Sequence, residues 1–208
     1  NYTGLAASTG NSITFDESGA EAYTEFADIT SGSVYASFLF KVTAFQTNSS
    51  PDLTDGGYFA ALASGATAYD ARLWVRPNPD TSGTSFDIGF GHESSNPIFT
   101  TNSFNIDEVV FVVMSYDIDN GQTNVWINPD SSSFGNTPPT ATINTIETSN
   151  AASKINLFIL RQDSSGETPF LQIDELRIDT SWSFVTPTSG TASTNDNSIA
   201  GFSAYPNP

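Results

Sequence analysis

Polar and apolar residues alternate along several short runs of this chain, and a period of two sorts side chains onto the two faces of a strand. The clearest run spans residues 33–43. There Val34, Ala36, Phe38, Phe40 and Val42 share one face, and Tyr35, Ser37, Leu39, Lys41 and Thr43 share the other. Further strands are predicted at Tyr58 to Ala63, Asp70 to Arg76, Ser85 to Gly91, Gln122 to Asn128, Ile155 to Gln162 and Phe170 to Ile178. Val109 to Met114 is apolar on both parities, which predicts a central strand covered on both sides. Shorter apolar pieces from Thr14 to Phe26, around the acidic turn Asp16-Glu17-Ser-Gly, predict the first edge strands.

Turn chemistry falls between these runs. Pro77-Asn-Pro-Asp80 stops one strand, Asn120-Gly121 is a hairpin pair, a polar loop runs from Thr47 to Gly57, and Pro138 and Pro139 sit in another loop. Nothing reads as a long helix, and no repeat recurs at a fixed period. Strands of this length, roughly ten of them, predict an all-β fold: a two-sheet antiparallel β-sandwich, with the jelly roll as leading architecture. The expected organisation is one sandwich domain over 1–186, a flexible Ser/Thr/Asn linker over 187–198 and a short apolar fragment over 199–208.

Composition changes this picture in three places. Six Lys+Arg against 23 Asp+Glu give a formal net charge of −17, which argues against nucleic acid and anionic membrane surfaces as partners and makes cations the natural counter-partners. The same acidity serves equally to keep a secreted protein soluble. The absence of cysteine excludes disulfides and thiol chemistry. No apolar run approaches the roughly 20 residues of a membrane span, so membrane insertion is not expected. The chain opens at Asn1, which is taken as a mature or trimmed N-terminus compatible with export.

The order of Tyr35-Ala-Ser-Phe-Leu-Phe40, Gly57-Tyr-Phe59, Arg72-Leu-Trp-Val-Arg76, Val125-Trp-Ile-Asn-Pro129 and Ile173-Asp-Glu-Leu-Arg-Ile178 resembles laminin-G-like, concanavalin-type jelly-roll domains of secreted bacterial proteins, over about residues 12 to 185. That resemblance implies an extracellular, non-catalytic module used in glycan binding, adhesion or display. A second one is shorter. Phe202-Ser-Ala-Tyr205-Pro206-Asn207-Pro208 looks like the opening of the C-terminal sorting domain that directs Bacteroidetes proteins through the type IX secretion system. It implies partnership with that machinery and a secreted protein displayed at the cell surface, on the exterior of the outer membrane. The alternative is a structural or passenger cargo of the same system with no small ligand.

Candidate chemistry concentrates in three stretches. In the run from Phe170 to Ile178, Asp174 shares its parity with Leu176 and Ile178 and should face the core, unless a bulge between Ile173 and Leu176 shifts the register. A buried carboxylate needs a cation, an arginine or backbone N–H groups. The jelly-roll resemblance implies calcium as a structural ion there, shared by Asp174 with Asp16 and Glu17. Calcium's preference for six to eight oxygens suits loop acids meeting a strand end. Two further strands carry a tryptophan on a polar face: Arg72, Trp74 and Arg76, and Asn124 and Trp126 between Gln122 and Asn128. Such faces either line a glycan groove, where aromatic rings stack on sugar C–H faces, or pack into a second layer while the arginines balance buried acids.

Enzymatic material is sparse. His92 is the only histidine, and the Glu-x-Asp-x-x-Glu run of laminarinase-type jelly rolls does not occur. The adjacent acids in Ile106-Asp-Glu-Val109 and Ile173-Asp-Glu-Leu176 alternate to opposite faces. No catalytic residues are therefore expected. Asp117, Asp119 and Asn120 lack EF-hand spacing and predict a solvated hairpin turn.

Overall fold

The computed structural model describes residues 1–46, 56–81, 83–92, 96–147, 151–164 and 167–188. Most of the Thr47 to Gly57 loop, nearly all of the linker, and the Tyr205 to Pro208 motif lie outside the described residues.

The strands are β1 (Ile13–Phe15), β2 (Ala22–Ile29), β3 (Ser33–Ala44), β4 (Gly57–Gly65), β5 (Ala68–Pro77), β6 (Ser85–Gly91), β7 (Ile98–Phe99), β8 (Phe104–Asn105), β9 (Val110–Asp117), β10 (Gln122–Ile127), β11 (Ile143–Ile146), β12 (Ile155–Leu160) and β13 (Phe170–Asp179). One short helix, α1 (Trp182–Val185), follows the last strand. A six-stranded sheet runs β1-β13-β3-β9-β10-β11, and a seven-stranded sheet runs β2-β12-β4-β5-β6-β7 with β8 also on β6. All pairings are antiparallel. The fold is the expected all-β jelly-roll sandwich.

The alternation of residues 33–43 explains the core. Val34, Ala36, Phe38, Phe40 and Val42 all point between the sheets and are buried. Phe38 and Phe40 reach across to Phe59 of β4 (6.3 and 5.2 Å between ring centroids), Phe158 of β12 (5.7 Å from Phe38) and Phe86 of β6 (6.2 Å from Phe40). Each such fully buried phenylalanine stabilises the sandwich by about 1.5–3 kcal/mol through area removed from water alone. The central-strand expectation for Val109 to Met114 also holds: β9 sends Val110, Val112 and Met114 into this core and Phe111 and Val113 to the opposite face.

That opposite face of the six-stranded sheet is covered too. Leu39, Phe111, Val113 and Trp126 from the sheet pack with Leu5, Phe134, Trp182 and Val185, so the N-terminal segment, a 3-10 turn at Ser131–Ser133 and α1 form a third layer. The cover is stitched at its edge by a bridge between Leu5 and Thr188 and by the Ala6 N–H donating to the Pro187 carbonyl (2.9 Å). Buried Ser37 donates to the Val185 carbonyl (2.6 Å), fixing α1 on β3. Among the described residues no helix is long and apolar enough to cross a membrane.

Candidate functional site

The strand that carries Asp174 contains a bulge. Asp174 pairs with Leu39 and Arg177 with Ser37, so three steps on β13 oppose two on β3. The extra residue is Glu175, at φ 61. The bulge keeps Ile173 and Ile178 opposite Phe40 and Ala36, on the core side, with Leu176 also packed against the core, while Asp174 sits opposite Leu39, which belongs to the other face. Inward orientation of Asp174 is therefore corrected: its carboxylate points away from the sandwich core and accepts the Glu175 N–H (2.9 Å).

The expected tether to Asp16 and Glu17 does not form either. Phe15 pairs with Leu171 and Ile13 with Ile173, which sets Asp16 beyond the Phe170 end of β13. At about 3.3 Å per residue, it lies roughly 13 Å along the strand from Asp174. Glu17 instead donates its N–H to the Thr168 carbonyl (3.3 Å), and Gln162 donates to the Asp16 carbonyl. No group of three or more acidic or histidine side chains among the described residues could hold a metal ion. The carboxylate that needs compensation on this strand is that of Glu175, whose side chain is 8 % exposed. It pairs with Arg177 and accepts the Thr9 N–H (2.8 Å), so β13 is joined to the N-terminal segment through this carboxylate.

The two tryptophan faces lie on opposite sides of the molecule. Trp126 is 5 % exposed beneath the third layer, 4.9 Å from Trp182 and 6.1 Å from Tyr35, and its indole N–H donates to the Pro139 carbonyl (2.8 Å). Asn124 donates to Ser115 (3.3 Å). Trp126 has no access to a groove, and the glycan-binding expectation for it is corrected: it belongs to the second-layer packing, while Asn124 beside it is partly buried and engaged by Ser115. The cause is non-local, since it takes α1 and the N-terminal segment to cover that face.

Arg72, Trp74 and Arg76 do share a face, the outer side of the seven-stranded sheet, with Leu73 and Val75 in the core beneath them. Here Tyr58 of β4 lies beside Trp74 (5.1 Å) and Tyr69 (5.9 Å). The Arg72 and Arg161 guanidiniums stand 5.3 and 4.4 Å from the Tyr58 ring centroid. Arg76 stacks on Phe99 of β7 at 3.8 Å. Phe99 reaches that position only because Gly89 lies beneath it: a Cβ there would sit 2.7 Å from the ring. Gly57, Tyr58, Trp74, Arg76, Phe99, Asp163 and Glu167 line a cleft of about 560 Å³.

Trp74 forms the floor of this cleft rather than a free platform. It is 6 % exposed, and its indole N–H is buried with no hydrogen-bond partner among the described residues. Acids surround the cleft in fixed roles. Asp87 accepts from Arg76 (3.1 Å), Asn78 (3.0 Å) and Ser103 (2.7 Å). Burial pushes its carboxyl pKa up, but those three donors outweigh burial and hold it below the usual carboxylate range. Asp163 meets Arg161 at 2.5 Å, while Glu21 meets Arg161 at 3.5 Å. The Tyr58 hydroxyl is pushed up by burial, against the pull of Arg161 and Arg72.

Tyr58, Phe99, Arg161 and Gly89 were not singled out by sequence pattern. Tyr58 lies on β4 and Arg161 directly follows β12, both with the parity of the outer face. Only the strand order brings them beside Arg72 and Trp74. His92, the sole histidine, lies at the end of β6 with Nδ1 3.4 Å from the Thr145 hydroxyl of β11. Asp117 takes the N–H groups of Asp119 (3.0 Å) and Asn120 (3.3 Å), forming a self-satisfied turn in which Gly121 has φ 64.

No protein-family model matches the chain, and no curated protein does. Among solved structures, it is similar to a native heptameric SAP-like pentraxin from Limulus polyphemus, with TM-score 0.51 and 8 % identity over 89 % of this chain and 80 % of that one. It is also similar to a sialidase (TM-score 0.49, 11 % identity, 81 % of this chain and 15 % of that one) and to CG-16, a homodimeric agglutinin from chicken liver (TM-score 0.46, 7 % identity, 77 % of this chain and all of that one). These likenesses concern the fold alone, a two-sheet β-sandwich.

Proposed function

We propose that the protein is a secreted, surface-displayed and non-catalytic module that binds glycans in the cleft on the outer face of the seven-stranded sheet. One observation carries this: of the two outer faces, that of the six-stranded sheet is sealed by a third layer, whereas that of the seven-stranded sheet keeps an open cleft lined by aromatic rings, arginine and acids. Rings with flanking charged hydrogen-bonding groups suit the alternating C–H and hydroxyl surface of a sugar. Asp87 and Asp163 beside the cleft are engaged by Arg76 and Arg161, which leaves the rings and the remaining polar groups to meet a ligand. Export through the type IX machinery rests on the resemblance of Tyr205 to Pro208 to a sorting signal.

The near-complete burial of Trp74 favours a second reading, a passenger cargo whose sandwich takes no small ligand. A glycan array separates the two, with wild type, Tyr58→Ala and Trp74→Ala each checked for folding by circular dichroism. Retention of a polysaccharide by wild type that folded variants lose supports the cleft. Silence across marine and host polysaccharides supports the passenger. Fractionation of the producing cells tests export, and accumulation inside the cell would sink it.

A further inference from the structure

Of the six cationic side chains in the sequence, five meet a carboxylate. Lys41 lies 3.7 Å from Asp107, Arg76 3.1 Å from Asp87, Lys154 2.9 Å from Asp28 and Arg161 2.5 Å from Asp163, and Arg177 pairs with Glu175. Arg72 is the exception among the described residues. Its guanidinium is half-buried with no carboxylate of the described residues in ion-pair contact. One Nη donates to the His92 carbonyl (2.5 Å), and Nε is buried with no acceptor among the described residues.

The surroundings of Arg72 show why no carboxylate of the described residues pairs with it. Its partners across the sheet are Ala61 and Gly91, neither of which carries a polar side chain. Asp70 and Glu147 act on it only at longer range, and Asp70 is engaged by the Ser64 N–H (2.8 Å). Arg161 faces the same Tyr58 ring, so two guanidiniums converge on one side chain that also lines the cleft. A partly desolvated cation without a counter-charge is unfavourable, and a planar guanidinium is suited to an oxyanion that accepts two parallel hydrogen bonds.

We infer that the glycan taken by this face is anionic, and that a carboxylate or sulfate substituent on it pairs with Arg72. This rests on the glycan-binding function proposed above and adds the chemical class of the ligand. It also accounts for a local cationic site on a molecule of net charge −17, which otherwise repels acidic polymers.

The test is affinity electrophoresis against four polymers: a polygalacturonate, the same polymer after carboxyl reduction, a sulfated galactan and a neutral β-glucan. A chelator in every gel prevents metal ions from bridging two acidic partners. Wild type should bind one of the acidic polymers about 10- to 100-fold more tightly than the neutral ones, the range expected for a charge-assisted hydrogen-bonded contact. The preference should weaken as salt rises. Arg72→Gln, which keeps a donor for the His92 carbonyl but no charge, should lose that preference while melting like wild type. Arg72→Lys should restore part of it. The polygalacturonate and galactan lanes distinguish carboxylate from sulfate. Equal retention of native and carboxyl-reduced polymer, with no advantage for the sulfated one and loss only in Trp74→Ala, would overturn the anionic class and leave the glycan cleft standing. Retention of none of the four overturns both.

Discussion

Trp74 and Trp126 are almost equally buried, at 6 and 5 % exposure, yet their surroundings predict different outcomes when each is cut to alanine. At Trp126 the indole is held on every side by Trp182, Tyr35 and the Pro139 carbonyl. A buried tryptophan removes about 200 Å² from water, which at about 25 cal/mol per Å² is roughly 5 kcal/mol before the retained Cβ is discounted. Truncations of this kind cost about 3–5 kcal/mol, and the Pro139 carbonyl loses a donor worth about 1 kcal/mol. Trp126→Ala should therefore lose about 4–5 kcal/mol and lower the melting midpoint by roughly 10–20 °C in a chain of this size. Trp74 starts from a less favourable state, because its indole N–H is buried without an acceptor, a penalty of about 1–3 kcal/mol that the truncation relieves. Its loss should be about half as large. Urea unfolding followed by the fluorescence of the two remaining tryptophans measures both. A Trp126→Ala variant as stable as Trp74→Ala, or more so, would refute the assignment of one indole to a sealed layer and the other to a cleft floor.

Three further outcomes are expected. Glu175→Gln should cost about 1–3 kcal/mol by urea unfolding, because Arg177 loses its counter-charge and the Thr9 N–H loses an ionised acceptor in a site that is nearly closed to water. Asp174→Ala should shift the melting midpoint equally with and without a chelator, since Asp16 and Glu17 are out of reach; a shift seen only without chelator would restore a cation there. Asp87→Asn should cost about 2–3 kcal/mol at neutral pH, because three donors then face a neutral amide. The folded pKa of Asp87 is depressed, so its contribution is complete above the unfolded value, about 3.9, and fades as pH falls through the folded one. The gap between wild type and variant should accordingly close below about pH 4, as read by melting across pH.

The sandwich was legible because strand parity is a local property. Val34 to Val42 and Val110 to Met114 announce which side faces the core without reference to any other strand. The acidic turn and the Asn120-Gly121 hairpin were legible for the same reason. What escaped was everything decided by a second element. A single inserted residue, Glu175, turned Asp174 to the opposite face, and parity alone could only state the condition under which this happens. Trp126 looked like Trp74 in its own strand, and the difference came from Trp182, Leu5 and Phe134, up to about 120 residues away in the chain. Leu39, Phe111 and Val113 were apolar on the side away from the core, a signal that this face needed a cover. Arg72 was legible as a candidate, but its lack of a carboxylate partner among the described residues depends on Ala61 and Gly91 arriving on either side of it.

The stitch between Leu5 and Thr188 governs how the molecule would be held. Thr188 lies on the sealed side of the sandwich, so an attachment made at that point would grip the domain by its back and leave the cleft of Tyr58 and Trp74 on the opposite side. Tension on such an attachment would enter the fold at Thr188 and pass to the N-terminal segment and α1, leaving the strands that carry the cleft, on the other sheet, out of the direct line of load.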